Sequence, residues 1–364
     1  MFLSESAGAA GLAPEPDAGS LSQPRSWEKL LPRCAGDRLA SIFLASLEVR
    51  GYRRNTVLAY GRAVEALIAA LGRPLDEVRL DADAVLAFLA HLRRTPSRKR
   101  GRAGSRLAAS TLRQQVCGLR AFAEHLIARG LLHVNPVPLG AVRRTQTGEI
   151  IPIRGGLIRA PRFVPRLPTD EQWARMLNVL RARSPRDRLM FALAYDGALR
   201  RDELVTLRLD DFDFAARQVE IRPERSKNGF GRRVVYSETT GRLLAAYLAQ
   251  RRSVAALAPR GQPPFLFLSE SPRNRGRPVG GYTWGLLAAA LAGECDAHGF
   301  STHTLRHLRL TDLARAGLDL AEIARYAGHR SLGSTMLYIH LSGRDMTRAF
   351  ERASRPHADR LAAL

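Results

Sequence analysis

His303-Thr304-Leu305-Arg306 sets an imidazole and a guanidinium three residues apart, so a helix through this stretch carries both on one face. Gly328-His329 follows, and Tyr338 stands nine residues beyond His329. Upstream, Gly197-Ala198-Leu199-Arg200 is followed by Glu203 about one helical turn later, and Lys227 sits beside the turn-forming pair Asn228-Gly229. The set comprises two arginines, two histidines, a lysine and a tyrosine, with no clustered carboxylates. That combination suits a phosphodiester. Its pentavalent transition state gathers charge on the free oxygens, which paired guanidiniums clamp bidentately while a histidine adds a donor. A nucleophile and an acid for the leaving oxygen complete the requirement. A metal-dependent nuclease needs grouped carboxylates to hold Mg²⁺, and this set of residues contains no such group.

Each residue has a plainer reading when taken singly. Arg200 could pair with Asp196 or Glu203 on a helix surface. His303 and His307, at i and i+4, could be two zinc ligands, but no third ligand stands out. Tyr338 could be a buried core residue beside Met336 and Leu337, and Gly328-His329 a helix end. The joint spacing outweighs these readings. Composition sharpens the case for Lys227: the chain has three lysines, Lys29, Lys99 and Lys227, among 57 basic residues. Where charge alone suffices this sequence uses Arg, so a lysine in the turn points to proton donation, which a guanidinium does not perform.

Four stretches, Gly197-Ala198-Leu199-Arg200-Arg201-Asp202-Glu203-Leu204, Ser226-Lys227-Asn228-Gly229, His303-Thr304-Leu305-Arg306-His307 and Ala327-Gly328-His329 through Tyr338, occur in the order and at gaps similar to those of one family. Residues from about 169 to 345 resemble the catalytic domain of the tyrosine recombinases (phage integrases and Xer proteins). Residues 37–142 are similar to that family's core-binding domain in pattern only. The resemblance implies that Arg200 and Arg306 hold the non-bridging phosphate oxygens and that Tyr338 attacks phosphorus. Lys227 would protonate the departing 5′ oxygen, His303 would assist proton transfer or phosphate binding, His329 would hydrogen-bond the phosphate, and Glu203 would orient the site. A 3′-phosphotyrosyl intermediate and religation by a 5′-hydroxyl follow, with no metal, ATP or other cofactor. The implied partner is double-stranded DNA, met by a monomer or weak oligomer that becomes a tetramer on paired sites. Ala198 and Ala327 depart from the Gly and Leu common at those places, and Leu308-Arg309-Leu310 departs from the usual small or aromatic run. A type IB topoisomerase-like enzyme and a catalytically inactive DNA-binding relative are the competing readings. The intact residue set weighs against the second, and a separate helical domain favours recombination over both. A mobile-element role, in a phage or transposon, is the expectation within the family, drawn from the long tail and the basic insertion at 93–106.

The elements that must position these residues are mostly helical. Apolar stripes at Leu39–Leu47, Val57–Leu71, Val85–Leu92 and Leu112–Leu126 predict four amphipathic helices. The expected organisation is a flexible tail over 1–35, a helical DNA-clamping domain over 36–142, a basic linker over 143–168, a catalytic domain over 169–347 and an assembly segment over 348–364. Thr169-Asp170-Glu171-Gln172 reads as a capping box opening the catalytic domain. Within that domain Gln218–Ile221 and Arg233–Tyr236 alternate as strands, and Phe265–Leu268 is expected as a third. The fold class is therefore mainly α with a small β-sheet. Lys and Arg exceed Asp and Glu by 57 to 34, a net charge of +23 over 364 residues, which calls for a polyanionic partner. Arg98, Lys99, Arg100 and Arg102, in an acid-free run between the third and fourth helices, are the candidate phosphate contacts. Three cysteines outside any CxxC spacing, no signal-peptide pattern and no apolar stretch of membrane length lead to the expectation of a cytoplasmic protein.

Overall fold

In the computed structural model the N-terminal apolar stripes become helices. The structure describes residues 27–97, 104–137, 142–144, 150–152, 157–158, 165–226, 229–258 and 264–341. The chain divides into two units, residues 1–162 and 163–364.

In the first unit α1 (Pro32–Gly36), α2 (Arg38–Val49), α3 (Arg54–Leu71), α4 (Ala82–Arg94) and α5 (Ala109–Ala128) surround one apolar core. The folded chain begins earlier than the expected tail boundary at 35. Trp27, Leu31 and Cys34 are buried in that core, and the Glu65 carboxylate of α3 accepts the Arg33 and Cys34 N–H groups at 3.1 and 2.8 Å. Helix α1 is thus fixed both by apolar anchors and by a partner for its free first-turn donors. Helices α3 and α5 approach closely at Gly118, where a Cβ would lie 2.6 Å from that of Ala63. Between α4 and α5, Pro96 and Arg106 form a bridge and the Ser97 N–H donates to the Ser105 carbonyl at 2.7 Å, on either side of the basic run. Arg98, Lys99, Arg100 and Arg102 lie outside the described residues. Part of the expected linker is a two-stranded antiparallel pair, β1 (Val142–Arg144) with β2 (Ile150–Pro152).

The second unit opens with α6 (Asp170–Arg181), and the capping box is present: Thr169 Oγ1 accepts from the Gln172 N–H, and Gln172 Oε1 from that of Thr169. Then come α7 (Pro185–Asp196), α8 (Arg201–Val205), β3 (Phe212–Asp213), β4 (Gln218–Ile221), β5 (Arg232–Val235) and α9 (Glu238–Ala256), followed by α10 (Gly281–Glu294), α11 (Thr304–Arg315), α12 (Leu320–Ala327) and α13 (Met336–Leu341). The sheet is antiparallel in the order β3-β4-β5, with Val219 opposite Val234 and both side chains in the core. Its third strand is β3, not the expected Phe265–Leu268. That run makes only isolated bridges, and its Phe265 and Leu266 carbonyls accept the buried Arg251 guanidinium instead of a strand neighbour. Among the described residues no helix is long and apolar enough to cross a membrane.

Candidate active site

Arg200 precedes the first residue of the short helix α8, and Glu203 sits three positions on, so the carboxylate turns back to accept the Arg200 N–H at 2.9 Å. The same carboxylate accepts from Arg200 Nη1 at 2.7 Å and from both terminal nitrogens of Arg232, on β5, at 3.0 and 2.8 Å. Glu203 is almost wholly buried, which by itself would push its pKa up. Bonds and charge from Arg232 and Arg200 outweigh that and hold it down to about 2. Asp196, the other candidate partner for Arg200, is engaged elsewhere: it accepts from the Ser237 N–H and hydroxyl and from the Thr240 hydroxyl.

The C-terminus of α12 organises the rest. The last carbonyls of a helix lack intrahelical donors and carry partial negative charge. Here three consecutive carbonyls each receive a different arginine. Tyr326 O accepts from Arg232 Nε at 2.8 Å, Ala327 O from Arg306 Nη2 at 2.5 Å, and Gly328 O from Arg200 Nη2 at 3.0 Å. Gly328 ends the helix in the left-handed region, at φ +62°, and a Cβ there would lie 3.2 Å from Arg232 Cδ. Arg306 is 3% exposed, and its Nη1 reaches the Ala198 carbonyl at 2.6 Å. Ala198 itself is held at φ +46°, between α7 and α8. Burial, with the Arg200 and Arg232 charges beside it, lowers the Arg306 pKa to about 9. Three guanidiniums therefore share one carboxylate as counter-charge, an arrangement that favours an added anion.

His329 Nε2 lies 3.0 Å from Arg306 Nη2, which can only donate, so this nitrogen accepts and Nδ1 carries the proton toward Thr335 Oγ1 at 2.9 Å. Burial and then the Arg306, Arg200 and Arg232 charges lower its pKa to about 4, which keeps the ring neutral. Tyr338, on α13, packs on the His329 ring and lies in a small core with Ala198, Leu310, Ile323 and Ala327. Its hydroxyl is 3.0 Å from Nδ1 of His307. Burial raises the Tyr338 pKa against the opposing influence of Arg306 and Arg200, so the resting hydroxyl keeps its proton.

Arg200, Glu203, Arg306, His329 and Tyr338 thus converge, while Lys227 lies outside the described residues. His303 stands exposed at the start of α11, its ring 6.3 Å from that of His307. Sequence reasoning overlooked His307 and Arg232. His307 had a signal in its i+4 spacing from His303, weighed only for zinc, whereas Arg232 had only its place on a strand ending at the site. Among the described residues no group of three or more His, Cys, Asp or Glu side chains is placed to hold a metal ion.

Residues 167–344 match the phage integrase family. The tyrosine recombinase XerC of Chromohalobacter salexigens is 30% identical over 299 residues, covering 81% of this chain and 89% of that protein. XerC of Roseiflexus castenholzii is 27% identical over 315 residues, covering 85% and 88%. Among solved structures, the Tn1549 transposon integrase in complex with transposon right end DNA superposes with a TM-score of 0.61 at 18% identity, covering 88% of this chain and 99% of that one. The XerH recombinase in its post-cleavage complex gives a TM-score of 0.58 at 16% identity, covering 92% and 90%. At such identities these two likenesses speak for the fold.

Proposed function

The chain belongs to the tyrosine recombinase family, and from that membership we propose that it cuts and rejoins double-stranded DNA through a covalent bond between Tyr338 and a 3′ phosphate. The observation that carries the assignment is the group of three guanidiniums sharing one carboxylate, gathered on the end of α12 beside the Tyr338 hydroxyl. Arg200 and Arg306 each anchor part of their guanidinium on backbone carbonyls and offer the remaining donors to the phosphate oxygens. Glu203 fixes their orientation, and His329, once a bound phosphate opposes the surrounding positive charge, becomes a donor to it. Lys227 supplies the proton to the leaving 5′ oxygen, and His303 assists from the rim. Arg98, Lys99, Arg100 and Arg102 contact the DNA backbone, and four protomers assemble on paired sites through the segment from 348 to 364.

A nicked target that loses its leaving strand tests the nucleophile. The native protein should accumulate a denaturant-resistant protein–DNA adduct, and Tyr338→Phe should bind the same DNA and form none. An undiminished adduct in that variant would move the nucleophile elsewhere. Within the family, movement of a mobile element is the finer reading, drawn from the long tail and the basic insertion at 93–106. Release of a circular DNA from the flanking locus is its measurement.

A further inference from the structure

Attack by Tyr338 requires that its hydroxyl proton leave, and the groups around that hydroxyl differ in their capacity to take it. Arg306 reaches it, but a guanidinium has no acceptor. Both nitrogens of His329 are committed, one to Arg306 and the other to Thr335. His303 sits exposed at the rim of the site. His307 remains, on α11 directly after Arg306, with Nδ1 3.0 Å from the hydroxyl. His307 is half-buried and also lines a cavity of about 420 Å³ together with Arg166, His298 and His303.

We propose that His307 is the general base of cleavage, an inference that rests on Tyr338 being the nucleophile. As the Tyr338 oxygen bonds to phosphorus, its proton passes to Nδ1 of His307, the bond from phosphorus to the 5′ oxygen breaks, and Lys227 gives that oxygen its proton. Religation runs the same transfers backward: the incoming 5′-hydroxyl returns a proton to Lys227, and protonated His307 returns one to the departing phenolate. No oxidant, metal or further reactant enters.

The surroundings keep His307 ready to accept. Burial, then the charges of His303 and Arg306, lower its pKa to about 4, so the ring is neutral at pH 7. The titratable groups facing it are His303 and Arg306 from its own helix, His329 from the end of α12, Tyr338 from α13, and Arg166 and His298 across the cavity. A phosphate seated among the arginines brings negative charge that favours protonation of His307 at the moment of attack.

Single-turnover adduct formation on the nicked target tests this. His307→Asn keeps a polar group near the position of Nδ1 but is no base. It should bind DNA normally, cleave more slowly by ~10²-fold or more at pH 7, and speed up roughly tenfold per pH unit from 7 to 9, because hydroxide must then remove the proton. The native profile should be flat over that range. Added imidazole should restore part of the rate in His307→Gly. Should either variant fold poorly, the native protein decides on a substrate with sulfur as the 5′ bridging atom. That leaving group needs no acid, so an acidic limb that persists reports the base. Native-like rates with a flat profile in His307→Asn, faster cleavage in it, or no acidic limb on the sulfur substrate overturns the proposal. An adduct that survives in Tyr338→Phe strikes at the nucleophile instead.

Discussion

Glu203 shows how much one buried side chain can hold together. It is the only carboxylate among the described groups bonded to Arg200 and Arg232, and its pKa is held down to about 2 from an ordinary 4.5. A carboxyl whose pKa is lowered on folding adds stability above pH 4.5 and loses it as the pH falls toward 2. A displacement of this size corresponds to on the order of 3 kcal/mol. Glu203→Gln should therefore unfold more easily at pH 7 by ~3 kcal/mol or more, since two largely buried guanidiniums lose their counter-charge. Its stability should also lack the native acid limb between pH 4.5 and 2. Denaturant melts across that range check both, and parallel acid limbs would remove Glu203 from this role. At this scale the sequence was readable where order and residue type coincide, as for Arg200, Arg306, His329 and Tyr338. It was opaque for His307, because spacing along a helix does not say which of two histidines meets a hydroxyl from a helix some thirty residues later in the chain.

Among the elements, the turn between α7 and α8 is where backbone conformation and site meet. Ala198 is fully buried at φ +46°, a conformation that costs a side chain about 1–2 kcal/mol. Ala198→Gly relieves that cost but gives up a buried methyl, ~0.8 kcal/mol, and backbone entropy, about 0.5–1 kcal/mol. The three nearly cancel, so the variant should stay within ~1 kcal/mol of native stability. Ala198→Val adds a branched Cβ where φ is positive and the core is full, and should cost ~2 kcal/mol or more. Because the Ala198 carbonyl receives Arg306, the valine variant should also lose adduct formation. Thermal melts beside adduct yields separate the two substitutions, and a valine variant with native yield would detach this turn from the site. The helical stripes were legible because their apolar period is strong. The start of the first unit was not, since Trp27, Leu31 and Cys34 are scattered among polar and small residues. Phe265–Leu268 misled for another reason: a continuous apolar run signals burial without saying whether its backbone pairs with a strand or with a side chain such as Arg251.

For the whole molecule the net charge of +23 sets the terms of any encounter with DNA. Neutralising Arg98, Lys99, Arg100 and Arg102 together should flatten the dependence of log K on log salt by roughly 3–4 units if each meets a phosphate. An unchanged slope would mean that these residues face solvent and not DNA. Charge and composition point toward a polyanionic partner, but they say nothing of the way the site is fastened. Arg232, Arg306 and Arg200 hang on three successive carbonyls where α12 ends, and one glutamate joins two of them. Parts fastened to one support are also lost together. Once a single substitution has loosened the end of α12 or removed Glu203, further changes at the remaining arginines meet little additional penalty, because what they served is already gone. Disuse in such a lineage should therefore erase these positions in clusters, leaving few chains with only one missing. On the proposed function, a chain that keeps Arg200, Glu203, Arg232, Arg306, His307, His329 and Tyr338 together is therefore expected to form the Tyr338 adduct, and one that has lost any of them to have lost several.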